Sequence, residues 1–121
     1  MRVAFMSTGQ GTGLELFEFE DPKPAPEQKY NFARDFNRGG FFHLGVTTPN
    51  VDDLCEKLVK YGGKRVGPTM PAFQYKTCCV EDPWGNILEI MDFTFDQYMA
   101  EFSAAQFDLT KQAEASSSEG A

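Results

Sequence analysis

Two kinds of apolar spacing divide the chain. Residues 14–20, "LELFEFE", alternate with period two, placing Leu14, Leu16 and Glu18 on one face of a strand and Glu15, Phe17 and Phe19 on the other. Residues 2–6, "RVAFM", form a second short strand, and the glycine-rich turn "STGQGTG" between them makes the pair a hairpin. Further on, "FFHLGV" (41–46) reads as a strand closed by Thr47-Thr48-Pro49. There the period changes: Val51, Leu54, Cys55, Leu58 and Val59 recur as one stripe of an amphipathic helix. Asn50 is its N-cap, Asp52 and Asp53 sit at its positive end, and Gly62-Gly63 stops it. "KRVG" is a short strand, "PTMPAFQY" (68–75) an irregular loop, "KTCCVE" (76–81) a strand, Asp82-Pro83-Trp84-Gly85 a tight turn and "NILEIMDF" the final strand. The order is β-α-β-β-β, an α+β arrangement.

The segments between and after these elements have a different character. Residues 21–40 begin with three closely spaced prolines, turn polar and end in two glycines, which reads as a linker. Residues 94–110 space Phe95, Tyr98, Met99 and Phe102 as a short amphipathic helix that docks on the body or on a partner subunit. Residues 111–121 are small and polar and are expected to be disordered. The organisation is thus a hairpin (1–20), a linker (21–40), a complete βαβββ module (41–93), a helix (94–110) and a tail.

Composition narrows the function. With 121 residues, 41% of them hydrophobic, the chain is one ordinary domain. No apolar run is long enough to cross a bilayer, and the start of the chain lacks the pattern of a signal peptide. A formal charge of −7, with no basic cluster beyond Lys64-Arg65, would repel phosphate backbones and argues against nucleic acid as a partner. Three cysteines cannot all pair within one chain, and no C-x-x-C occurs, so they read as buried reduced thiols of a cytoplasmic protein. The glycines of 9–13 precede a strand instead of opening a helix, which excludes a phosphate loop.

Glu89 interrupts the final strand, between Leu88 and Ile90. On a half-buried strand an unpaired carboxylate costs several kcal/mol or takes up a proton. "GLELFEF" (13–19) matches "ILEIMDF" (87–93), so Glu15 occupies the same phase of its strand as Glu89. His43, the single histidine, lies between Phe42 and Leu44 in another predicted strand. One imidazole and two carboxylates on inner strand faces are the donors a divalent cation takes. A core histidine bonded to a carbonyl, with two glutamates in solvent, fits the same spacing.

These residues resemble a family. "FFHLGVTTPNVDDLCEKLVKYGGKRVG…CCVEDPWGNILEIMD" is similar to the second βαβββ module of the vicinal oxygen chelate superfamily, which includes glyoxalase I, bleomycin-resistance proteins, methylmalonyl-CoA epimerase and extradiol dioxygenases. The resemblance rests on the first-strand His, the helix ending in Gly-Gly and the D-P-x-G hairpin with its downstream Glu, and it covers residues 41–93. "RVAFMSTGQGTGLELFEFEDP" in turn resembles the last two strands of a preceding module. The resemblance implies that His43, Glu89 and Glu15 are metal ligands, that Glu15 or Glu89 doubles as catalytic base, and that the cofactor is a divalent ion: Zn, Ni, Mn or Fe. It implies a lactoylglutathione lyase-like lyase or isomerase acting on a small vicinal-oxygen substrate through an enediolate. A non-catalytic, bleomycin-resistance-like binding dimer is the alternative, and a dioxygenase the next. The first strand and helix of the first module, which would carry a fourth ligand, have no counterpart before Met1. A truncated chain or a homodimer in which a partner supplies the missing half is therefore expected.

Overall fold

The computed structural model describes residues 1–9, 11–23, 37 and 39–118. Its helix α1, Val51–Lys60, begins where the capping pattern places it: the Asn50 side chain accepts a hydrogen bond from the Asp53 backbone N–H at 3.2 Å. It ends as Gly63 N–H donates to the Leu58 carbonyl at 3.0 Å, with Gly62 at a φ of 100° that a side chain resists. Around it lie β3 (Leu44–Thr47), β4 (Lys64–Arg65), β5 (Met70–Ala72), β6 (Tyr75–Glu81) and β7 (Ile87–Met91). The sheet runs β3-β7-β6-β4, with β5 added to β6. β3 is parallel to β7, which requires the crossover that α1 provides, and the other pairs are antiparallel. The architecture is the α+β one that the spacing predicts.

Register sorts the side chains onto two faces. β6 and β7 pair with Cys79 opposite Glu89 and Val80 opposite Leu88, while β3 sets Gly45 beside Glu89 and Val46 beside Ile90. One face therefore carries Val46, Leu88, Ile90, Cys78 and Val80. This face meets the α1 stripe, giving a core of Val51, Cys55, Cys78, Val80 and Ile90, with Leu54 and Leu58 packed against it. The other face carries Gly45, Thr47, Glu89, Met91, Thr77 and Cys79, and no helix of the module covers it.

At one end of that second face an aromatic cluster forms. Tyr75 and Phe93 have ring centroids 5.2 Å apart, and Phe93 stacks on Tyr98 at 5.3 Å. Tyr98 opens helix α2, Phe95–Ser118, and also meets Phe73 at 5.6 Å. Thr94 and Gln97 cap α2 reciprocally: each backbone N–H donates to the other's side chain, at 2.8 and 3.3 Å. The docking predicted for this helix is thus made by Tyr98 and its neighbours, while Phe95 stays exposed.

The hairpin is β1 (Arg2–Ser7) with β2 (Gly13–Glu18), paired so that Phe5 faces Glu15 and Val3 faces Phe17. Thr8 closes its turn by donating both its N–H and its hydroxyl to the Thr12 carbonyl, at 3.0 and 2.7 Å. Among the described elements, β1 and β2 contact only each other. Phe5, Met6, Leu14, Leu16 and Phe17 are consequently exposed.

Three sequence expectations are corrected. Residues 68–75 are not an irregular loop: Met70–Ala72 pair with Thr77–Tyr75. Pro71 hid this strand, because proline signals a break, yet its missing N–H is tolerated at a sheet edge. β3 starts at Leu44, so His43 stands just before the strand instead of within it. The terminal helix is not short. It has 24 residues and runs through part of the tail expected to be disordered, since Lys, Gln, Ala and Glu there form helix readily. Most of the expected linker, 24–36 and 38, lies outside the described residues.

Candidate functional site

The parallel pairing of β3 with β7 brings His43 and Glu89 together on the uncovered face. His43 Nε2 stands 3.0 Å from Glu89 Oε2, and both side chains are partly shielded from water. The second oxygen, Oε1, accepts a hydrogen bond from the Thr77 hydroxyl at 2.9 Å. Both carboxylate oxygens are therefore engaged, which is how a strand with buried Ile87 and Ile90 accommodates a charge.

The flanks of Glu89 differ. On the β6 side stands Cys79, whose thiol is pushed up by burial, with the Glu89 carboxylate adding to the shift. On the β3 side Gly45 contributes no side chain, and the Met91 methyl lies over it: a Cβ built on Gly45 would fall 2.9 Å from Met91 Cε. The hairpin turn that launches β7 is held by Asp82, whose Oδ1 accepts from the Trp84 and Asn86 N–H groups at 2.9 and 2.8 Å. Asn86 Nδ2 donates to Asp82 Oδ2 at 2.9 Å, and Gly85 takes a φ of 88°. The D-P-W-G-N stretch thus sets the start of the Glu89 strand. Trp84 itself is 68% exposed.

Of the three residues singled out from sequence, two meet and one stands apart. Glu15 lies on the hairpin opposite Phe5, in the second strand of a pair as Glu89 is in the second strand of β6–β7. Among the described residues no group of three or more His, Cys, Asp and Glu side chains is arranged to hold a metal. An imidazole nitrogen and a carboxylate oxygen are suitable donors for a divalent cation, but catalytic sites use three protein ligands or so. The described pair supplies part of such a set. Thr77 escaped the sequence reading. The alternation in "YKTCCVE" puts Thr77 on the face of Cys79, but only the register shows that it reaches Glu89.

Away from this face, Arg65 Nη1 donates to Cys78 Sγ at 3.3 Å and Arg65 Nη2 pairs with Asp52 at 3.4 Å. The Thr69 hydroxyl, which donates to Asp52, is the main cause of that carboxyl's lowered pKa. Burial, with Cys78 beside it, pushes the Cys55 thiol up to about 12. This cluster ties α1 to β4 and lies on the covered side of the sheet.

Residues 1–90 match the model of the Glyoxalase/Bleomycin resistance protein/Dioxygenase superfamily, and the chain belongs to that superfamily. Its likeness extends to a 2-epi-5-epi-valiolone epimerase of Actinomyces sp, 32% identical over 97 residues, which span 75% of this chain and 50% of the relative. The chain thus spans about half the length of that curated relative. No solved structure matches it. No helix among the described residues is long and apolar enough to cross a membrane.

Proposed function

We propose that this chain is part of an isomerase-type enzyme that moves a proton next to a carbonyl of a small vicinal-oxygen substrate, by way of an enediolate. The observation that carries the reading is the His43–Glu89 pair, 3.0 Å apart on the open sheet face of a chain from this superfamily. The similar protein is an epimerase by name, and removal and return of one proton is the step that inverts a carbon beside a carbonyl. A divalent cation would supply Lewis-acid stabilisation of the negative charge that develops on the substrate oxygens. His43 and Glu89 would hold it, and Glu15 would join them, from the same chain or from a second copy. Glu89 already has both oxygens engaged, whereas no hydrogen bond or ion pair to another described residue engages Glu15, so Glu15 is the better placed to take the proton.

A homodimer supports this reading physically. The hairpin exposes Phe5, Leu14, Leu16 and Phe17, on both its faces, and a two-stranded sheet is marginal in water by itself. Covering these residues with a second copy would bury them and could bring Glu15 to a His43–Glu89 pair. The test is zinc titration of the metal-free chain, with sedimentation to give its mass. Stoichiometric uptake by the wild type, lost in His43→Ala and weakened in Glu15→Gln, is the expected result. Equal zinc uptake by the wild type and His43→Ala would refute the proposal.

A second reading is a non-catalytic small-molecule binder, favoured by the exposed Phe17, Phe41 and Trp84. It predicts a rise in melting temperature with an aromatic ligand in the presence of chelator, where the first reading predicts a rise with zinc alone.

A further inference from the structure

Thr77 has a single hydroxyl proton, and it is spent on Glu89 Oε1 at 2.9 Å. The register explains the reach. Thr77 sits opposite Met91 and Cys79 sits opposite Glu89, so the bond runs diagonally between neighbouring strands on one face. Threonine suits the task because its branched Cβ restricts the side chain to few orientations. Other neighbours of Glu89 do not duplicate the bond. Gly45 has no side chain, and Cys79 offers at best a weak thiol donor. His43 meets the other oxygen, Oε2.

We infer that Thr77 is a positioning residue for Glu89: its hydroxyl holds one carboxylate oxygen, so that the other alone is presented beside His43. If a divalent cation were held here, His43 and Glu89 Oε2 would be its donors, and Thr77 would act as the outer partner that keeps the Glu89 carboxylate turned towards it. The metal part of this inference rests on the function proposed above, whereas the orientation of Glu89 does not.

Two measurements on the full chain separate the two. The first is zinc affinity, by competition with a chelator, in wild type, Thr77→Val and Thr77→Ser. Valine keeps the shape and loses the hydroxyl, and serine restores it. Loss of an outer partner of a metal ligand costs about 10–100-fold in affinity, so Thr77→Val is expected to fall by about 10-fold or more and Thr77→Ser to stay close to wild type. The second uses the metal-free chain. His43 is the only histidine, so its imidazole gives one unambiguous set of 15N and 1H resonances. These are expected to shift or broaden in Thr77→Val, as Glu89 loosens, and to return in Thr77→Ser. Wild-type zinc affinity in Thr77→Val overturns the metal part of the inference, and unchanged His43 resonances in that variant overturn the positioning role. If the wild type takes up no zinc, the metal reading fails, and the His43 resonances decide the rest: unchanged signals in Thr77→Val overturn the positioning role, and altered signals that serine restores support it.

Discussion

Glu89 Oε2 and His43 Nε2 stand 3.0 Å apart although they come from opposite ends of the module. The contact exists because β3 and β7, the first and last strands of the module, lie side by side in parallel, with Gly45 next to Glu89. Each partner gives the other what a partly buried polar group needs, and Thr77 completes the carboxylate's bonding.

Replacing Glu89 by Gln keeps size and removes charge. If the carboxylate is a cation ligand, zinc affinity in Glu89→Gln falls further than the ~10-fold expected for an outer partner such as Thr77. Competition titration reads both variants side by side, and the reverse order would remove Glu89 from the ligand set.

Ile90, fully buried between the sheet and α1, anchors the covered face. Ile90→Ala is expected to cost about 2–5 kcal/mol, a lost side chain plus the cavity it leaves. Trp84→Ala, at the exposed hairpin turn, should stay within about 0.5 kcal/mol of wild type. Urea unfolding followed by circular dichroism measures both.

Gly45 and Met91 should prove energetically coupled. A Cβ at position 45 meets the flexible end of Met91, so Gly45→Ala is tolerated by a small shift of that methyl. Gly45→Val overfills the notch, at about 1–3 kcal/mol. Met91→Ala introduced with it should recover part of that loss, which a double-mutant cycle would detect as a non-additive term.

The thiols carry a pH signature. The folded chain holds the Cys55 proton more tightly than the unfolded chain does, because burial raises its pKa from 9.0 to about 12. Stability from this source is fully present below pH 9 and is lost as pH rises from there towards about 12. Unfolding midpoints measured across that range should fall, and Cys55→Ala should fall less steeply. At neutral pH, an alkylating reagent should modify Cys79 first, with buried Cys55 and Cys78 reacting only after unfolding.

Much of the architecture could be read along the chain because it is local. The Val51, Cys55 and Leu58 stripe needs only the helical period to face one side, and Asn50 and Gly62 mark the helix ends by short-range hydrogen bonding. The turn from Asp82 to Asn86 is likewise held by bonds within itself. β5 was illegible for the opposite reason: Pro71 carries a strong local signal for a break, and only pairing with β6 overrides it.

The candidate site divides along the same line. Sequence determined that Glu89 points away from Leu88 and Ile90, because a strand alternates its faces, and that His43 and Glu15 offer matching donor chemistry. Tertiary structure decided which of these donors meet. Strand order put His43 against Glu89, register gave Glu89 its bond from Thr77, and the absence of contact between β2 and the five-stranded sheet left Glu15 apart. Alternation sets a side chain's face, whereas its neighbours depend on which strands adjoin and in what register, and that is settled by packing across the whole sheet.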